Sequence, residues 1–411
     1  FLGPYLTSIA ESAADASGLI NLWGISMRPG SLFPYVISFS VFAQVFVLPI
    51  VGAIADRIKS RNGFLAIFAY LGAFSTICLY FVKDQRFALG AFLLIVANIS
   101  FGAALVVANS YIPDLASPDK RDAVSSRGWA SGYAGGGLLL LLNLYLYSSF
   151  ESFGITEAEA VRISLTSAGI WWALFTIFTV RGLRSLNRKV GVVGKDAVTV
   201  GFQELKQTLK DLRKYPETLK FLIAYLFYND GIQTVIAISG TYAILELKLE
   251  QLSLVFAIVI VQITALIGSL ILGKIAEKYG TKKTILISLI IWTIMVVITY
   301  FAPVGQANPY FAIAAGIGFV LGGSQALSRS LYSQVIPRAQ EAQYFSFYEI
   351  SERGTSWLGT FAFGVAFGLS GSYRHSILLI IAFVIVGGFL LVKVNIRQAI
   401  KESGNPQPKN I

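Results

Sequence analysis

Apolar runs of about 20 residues recur along most of this chain, separated by short polar segments. Each run is long enough to cross a hydrocarbon core of about 30 Å. A bilayer interior offers no water to satisfy backbone groups, so runs of this length are predicted to be helices. Complete spans are expected near 31–55, 63–82, 87–112, 128–148, 163–181, 219–245, 252–276, 284–302, 309–333, 345–369 and 376–395, eleven in all. The opening stretch "FLGPYLTSIA" reads as the end of a twelfth span whose beginning lies outside the numbered residues. The first methionine is Met27.

The longest polar stretch after the start covers residues 182–217. Within it Phe202, Leu205, Leu209 and Leu212 recur at helical spacing, while Lys206, Lys210, Arg213 and Lys214 take other positions. Two readings suit this pattern: a basic amphipathic helix on an anionic membrane surface, or a solvated linker helix. Either one divides the chain into an N-terminal helical bundle (1–181), a linker (182–217), a C-terminal helical bundle (218–395) and a short tail (396–411).

Composition points the same way: 55% of residues are hydrophobic and 13% charged, against roughly 25% charged in an ordinary soluble domain. The net charge of +11, from 33 basic and 22 acidic residues, raises the question of nucleic acid. Its distribution answers that question. Arg28, Lys83, Arg86, Arg162, Lys248 and Arg374 fall near span ends on one side of the expected topology, and the other 27 basic residues lie towards the opposite side. This asymmetry assigns the basic loops, and the C-terminal tail with Arg397 and Lys401, to the cytoplasm. The expected partners are a lipid bilayer and a small-molecule substrate, with no nucleic acid, and a monomer is expected. One cysteine, Cys78, allows no internal disulfide, and one histidine, His375, excludes a His-rich metal or catalytic cluster. No catalytic residues, metal or cofactor are expected, and the chain does not read as an enzyme.

The two halves repeat. "GAIADRIKSR" at 52–61 is echoed by "GKIAEKYGTKK" at 273–283, matching Gly52, Asp56 and Arg57 to Gly273, Glu277 and Lys278 at an offset of 221. "SRGWASG" at 126–132 is echoed by "SERGTSWLG" at 351–359, placing Arg127 and Gly128 against Arg353 and Gly354 at an offset of 226. Two similar offsets indicate a duplicated six-helix unit, related by an axis along the membrane normal. Parallel repeats of this kind resemble the major facilitator superfamily, whose substrate site lies near the midplane between the halves. The expected fold is therefore an all-α membrane protein with twelve transmembrane helices in two six-helix bundles.

The G-x-x-x-D-R-x-x-x-R run is similar to that superfamily's cytoplasmic latch. Gly52 permits close helix approach, and Asp56 can meet a helix N-terminus or an arginine. Arg57 and Arg61 can stay at the headgroup level. Lys59 stands where the motif usually has a glycine, a place that Gly280 takes in the second copy. Plain positive-inside anchoring is the alternative, but it leaves the matched acids unexplained.

Ionisable groups within spans are costly and therefore candidates for function. Asp230 is the only charged residue between Lys220 and Glu246. It lies about 16 Å into its span at 1.5 Å per residue, near mid-depth. Tyr228, Asn229, Gln233 and Thr234 surround it; Asn229 and Gln233 share one helical face, and Asp230 and Thr234 share the adjacent one. Asp230 could carry a proton, bind a substrate amine, or be satisfied by hydroxyls or amides of adjacent helices. Gly231 could let the helix bend or unwind. In "FSFYEISERG", Glu349 and Arg353 have the spacing of a helical ion pair with Glu352 beside them, and read either as a cytoplasmic gate or as charges snorkelling to the headgroups. "GGSQALSRSLYSQVIP" adds Gln325, Ser328 and Arg329. Asn98, Asn109, Asn143 and Gln262 are lone polar residues in other spans, read first as interhelical hydrogen-bonding groups, with Asn109 and Gln325 also counted as substrate-site candidates.

"NSYIPDLA", "VSSRGWASGYAGGGLLLLLN", "YNDGIQTVIA", "GGSQALSRSLYSQVIP" and "FYEISERG" together resemble the vacuole-effluxer, autophagy-linked family of major facilitators, over essentially the whole chain. The resemblance implies alternating access and export of amino acids or similar small metabolites. No G-x-x-x-x-G-K-[ST] run is present, so ATP is not the expected direct energy source. Short loops favour a multi-pass protein of a prokaryotic plasma membrane. The alternatives are a lipid or lipid-precursor flippase on the same fold and a non-transporting membrane scaffold or receptor, since fold does not fix cargo.

Overall fold

The computed structural model describes residues 2–186, 210, 212–353 and 357–410. Helices dominate, as the apolar runs require. They are α1 (Leu2–Ser12), α2 (Pro29–Arg57), α3 (Arg61–Cys78), α4 (Phe87–Asn109), α5 (Ile112–Leu115), α6 (Arg121–Ser148), α7 (Glu157–Leu183), α8 (Pro216–Leu245), α9 (Gln251–Tyr279), α10 (Thr281–Tyr300), α11 (Ala307–Val335), α12 (Glu341–Arg353), α13 (Trp357–Ser370), α14 (Tyr373–Lys393) and α15 (Ile396–Glu402). Among the described residues nine helical segments are both long and apolar enough to cross a membrane. The span expected at 128–148 lies within α6, whose Gly- and Ser-rich first half keeps it out of those nine. The span expected at 345–369 covers parts of α12 and α13, and residues 354–356 between them, Gly354 included, lie outside the described residues. So does nearly all of the amphipathic stretch expected at 202–212.

Local chemistry sets the boundaries. Thr156 and Glu159 form a capping box at the start of α7, with the Glu159 N–H donating to Thr156 Oγ1 at 3.2 Å and the Thr156 N–H to Glu159 Oε2 at 2.9 Å. Ser60 Oγ accepts from the Gly63 N–H and starts α3 at Arg61. Pro29 and Pro216 open α2 and α8, where a missing N–H is harmless. The two latch copies turn differently, as their sequences require. Gly280, at φ 97°, is the sole residue between α9 and α10, whereas the first copy needs Ile58, Lys59 and Ser60 to pass from α2 to α3. A short antiparallel hairpin that the apolar pattern does not announce joins α1 to α2: β1 (Ile20–Leu22) pairs with β2 (Ile25–Met27), Ile20 opposite Met27. Trp23 and Gly24 turn it at positive φ, and the Gly24 N–H donates to Asn21 Oδ1.

Packing divides the chain into two compact units, Phe1–Ala108 with Leu139–Leu205, and Asn109–Leu138 with Lys206–Ile411. The sequence division at 182–217 groups residues 109–138 with the first bundle; their contacts group them with the second unit. The polar side chains of Asn109, Arg121, Asp122 and Ser125 all bond to residues of that unit.

In the first unit, Tyr5, Leu6, Leu32 and Val36 form a core from α1 and α2, and the Tyr5 hydroxyl donates to the Val82 carbonyl at 2.7 Å. Asn98 joins α4 to α2 through Ser40 Oγ at 2.6 Å, and Asn143 joins α6 to α7 by accepting from Ser167 Oγ at 3.0 Å. The Ser60 cap makes Arg61 the first helical residue of α3, and Arg61 is fully buried there.

In the second unit α9 and α11 pack through small residues. A Cβ on Gly322 would strike the Ala265 carbonyl and come within 3.1 Å of Ala265 Cα, and one on Gly318 would lie 2.8 Å from the Val261 carbonyl oxygen. Backbone cannot yield as a flexible side chain does. Gly322→Val is therefore expected to cost roughly 1–3 kcal/mol and to melt several degrees below the parent in detergent, as read by a thermal unfolding scan. An unchanged midpoint would show that the two helices do not rely on this close approach.

Candidate functional site

α8 runs unbroken through Asp230 and Gly231, so the glycine does not unwind it. Gly231 instead admits α14: a Cβ there would lie 3.0 Å from Val384 Cγ2 and 3.4 Å from the Ile380 carbonyl oxygen. Asp230 is 1% exposed. Neither of its carboxylate oxygens has a well-formed hydrogen bond among the described residues, and the backbone N–H of Gly359 in α13 is the donor beside them. Gly359 makes that approach possible, since a Cβ there would lie 3.1 Å from Asp230 Oδ2 and collide with Thr234 Oγ1. Thr234 is turned to its own helix, donating to the Asp230 carbonyl at 2.7 Å.

The neighbours of Asp230 on α8 belong to a separate polar network. Asn229 Oδ1 accepts from Gln325 Nε2 at 3.0 Å, and its Nδ2 donates to the Glu352 carbonyl at 3.2 Å. The Tyr228 hydroxyl pairs with Ser328 Oγ at 2.6 Å, and the Tyr225 hydroxyl donates to Glu352 Oε2 at 3.3 Å. Tyr225 and Tyr348 stack with ring centroids 4.3 Å apart. Gln233 is half-buried and makes no hydrogen bond among the described residues.

The same network continues to Asn109 and Arg329. Asn109 Nδ2 donates to buried Glu349 Oε1 at 2.8 Å, and Arg353 Nε reaches Glu349 Oε2 at 3.4 Å. Arg329 Nη1 donates to Asn109 Oδ1 at 3.2 Å, while its Nε and Nη2 donate to Ser125 Oγ and the Ser125 carbonyl, each at 2.9 Å. Its guanidinium lies 5.6 Å from the centre of the Trp129 ring. Gly128 leaves room for it, since a Cβ there would lie 3.1 Å from Nη2. Asn109 thus stands with the gate candidates Glu349, Glu352 and Arg353, away from Asp230. Arg127 is exposed and outside the cluster; Ser125 and Trp129, one helical turn apart on α6, face Arg329 instead.

Beside this network the second latch copy makes its own contacts. Gly273 packs against Ser126, Glu277 Oε1 lies 3.8 Å from Lys120 Nζ, and Thr281 Oγ1 donates to Asp122 Oδ2 at 2.7 Å. Lys278 lies over the Tyr279 ring and leaves Glu277 to Lys120. In the first copy Asp56 is buried and Arg57 half-buried, and both have interaction partners. The tail adds a contact that no sequence motif signals. Asn405 Nδ2 donates to the Gln334 and Ile336 carbonyls at 2.9 and 2.7 Å, closing the end of α11, and its Oδ1 accepts from Arg338 Nε at 3.0 Å.

Starting at Val235, little more than one turn from Asp230, α8 lines a cavity of about 510 Å³ with α9, α10, α11 and α14. Its wall is mainly apolar, with Val261, Ile313 and Leu321 among the lining residues, and Ser239, Tyr242, Gln262, Thr299 and Tyr310 bring polar groups to it.

The sequence profile of the vacuole effluxer Atg22-like family matches residues 7–404. The chain belongs to that family. Among its relatives, the uncharacterized MFS-type transporter YxiO of Bacillus subtilis is 28% identical, over 95% of this chain and 88% of its own length. Autophagy-related protein 22 of Yarrowia lipolytica is 25% identical over 94% of this chain and 79% of its own, and that of Saccharomyces cerevisiae 26% identical over 90% and 79%. Among solved structures, a mutant of the XylE transporter covers 98% of this chain and 97% of its own, with a TM-score of 0.69 at 14% identity. A bacterial homologue of the iron transporter ferroportin, in an outward-facing state, covers 95% and 97%, with a TM-score of 0.66 at 12% identity. These neighbours establish the major facilitator fold. Family and fold together make the chain an MFS-type membrane transporter, as the duplicated latch and the resemblance of "YNDGIQTVIA" imply.

Proposed function

We propose that this protein is a secondary active exporter of small metabolites, amino acids first among them, working by alternating access. The observation that carries this reading is Asp230: a mid-helix carboxylate, buried, without a countercharge among the described residues, and on the helix that lines a cavity from Val235 onward. An uncompensated buried charge costs several kcal/mol. Taking up a proton or a substrate ammonium relieves that cost, which makes Asp230 the coupling or binding group. The Asn109–Glu349–Arg353 and Arg329–Ser125 contacts then serve as the cytoplasmic gate, since residues 109–138 belong to the first sequence repeat and α11 and α12 to the second. The two latch copies, Asp56, Arg57 and Arg61 in the first and Glu277 and Lys278 in the second, are assigned the same gating role by their matching sequences. The basic-loop asymmetry supports insertion in a plasma membrane with the C-terminus cytoplasmic. The protein works as a monomer in the bilayer, with no cofactor, enzymatic activity or nucleic-acid partner.

A second reading, a flippase for a lipid or lipid precursor, is favoured by the apolar wall of the cavity. Counterflow of labelled amino acids and scrambling of labelled phospholipid, measured in the same proteoliposomes, separate the two. Amino-acid counterflow without scrambling is expected; scrambling alone would overturn the exporter reading.

A further inference from the structure

α10 and α14 pack side by side, and their ends join the start of α15 around an open pocket of about 630 Å³. Lys282, Lys283, Lys393 and Arg397 line it, together with Leu286 and Val392. Lys282 is committed within the fold, donating to the Val392 and Val394 carbonyls at 2.8 Å each and so capping the end of α14. The other three cations are exposed, and none has an ion pair among the described residues. Lys393 leans over the Phe389 ring at 4.2 Å. The acid whose charge reaches Lys282 is Glu217, already occupied by Lys220 Nζ at 2.6 Å and the Asn395 N–H at 2.7 Å.

A concave site with this much unanswered positive charge selects an anion. The same two helices specify its other half. Next to the pocket α10 exposes Ile287 and Ile290, and α14 exposes Ile385 and Phe389. An anionic head continuous with apolar chains matches both surfaces, whereas a soluble phosphate would leave the apolar one unused. We infer that this pocket holds the headgroup of an anionic phospholipid, with its acyl chains along α10 and α14. The ligand comes from the bilayer that the protein spans, and basic pockets between membrane helices recognise such headgroups.

The test is native mass spectrometry of the detergent-solubilised protein titrated with phosphatidylglycerol, phosphatidylcholine or sn-glycerol 3-phosphate. The variant Lys283→Gln/Lys393→Gln/Arg397→Gln leaves Lys282 in place, so α14 keeps its cap, and a thermal melt confirms folding. Its control, Lys59→Gln/Arg181→Gln/Arg184→Gln, removes as many exposed charges from the other compact unit. The parent and the control are expected to retain phosphatidylglycerol in preference to phosphatidylcholine. The pocket variant is expected to bind it about a hundredfold more weakly, from three charges near the headgroup. Equal losses in pocket variant and control would reduce the effect to general surface attraction and overturn the site. Equal retention of phosphatidylcholine, or glycerol 3-phosphate binding as tightly as the lipid, would also overturn it.

Discussion

Replacing Arg329 by methionine is expected to destabilise the protein by about 3 kcal/mol, the scale of losing the hydrogen bonds made by a charged group. Three nitrogens of that guanidinium hold Ser125 and Asn109, its face covers Trp129, and its charge is felt by Glu349 and Glu352. Methionine fills similar volume but leaves Glu349 and Glu352 with Arg353 as the remaining nearby cation among the described residues, and leaves Asn109 Oδ1 without its Arg329 donor. Lysine should restore only part of the loss, because a point charge cannot reproduce the two-pronged hold on Ser125. If the cluster closes the gate, about 3 kcal/mol of lost contact shifts the access equilibrium more than a hundredfold. A cysteine at buried Ser328, in a Cys78→Ser background, should then become reactive to a membrane-impermeant maleimide added from the cytoplasmic side. An unchanged melting midpoint with unchanged alkylation would remove Arg329 from the gate.

Asp230→Asn is expected to abolish gradient-driven transport, by tenfold or more, while the protein stays folded. The amide has nearly the same shape and cannot exchange a proton at this position. Stability should hold or rise, because a buried carboxyl that lacks a good partner among the described residues is replaced by a neutral group. Counterflow, which needs no driving gradient, should survive if Asp230 carries the proton and fail if it binds the substrate amine. Full gradient-driven transport by the variant would show that Asp230 plays neither part.

The helices were legible because in a bilayer run length alone decides the element, and Gly280 against Lys59 even set the relative tightness of two turns. The hairpin at 20–27 was not, since three-residue strands leave no periodicity to read. Asp230 stood out by being charged in an apolar run, and it is buried with its carboxylate outside the Tyr228–Asn229 network. Side-chain direction was harder. The repeat echo selected Arg127, but the exposed face of α6 carries it, and the neighbouring Ser125 and Trp129 meet Arg329. Spacing placed Gln233 with Asn229, yet among the described residues only Asn229 finds partners, because hydrogen bonding depends on which helix lies opposite. Asn405 lies in a polar tail, where nothing in the sequence marks one amide as the cap for the end of α11.

Flux in proteoliposomes tests the central claim most directly. The purified protein, reconstituted with and without an imposed pH gradient, is given a panel of labelled amino acids, and accumulation is followed over time. Secondary active transport predicts that at least one amino acid accumulates against its own gradient when the pH gradient is present, and only equilibrates when it is collapsed. Accumulation of none, with or without the gradient, from protein shown to be folded and inserted, would contradict it.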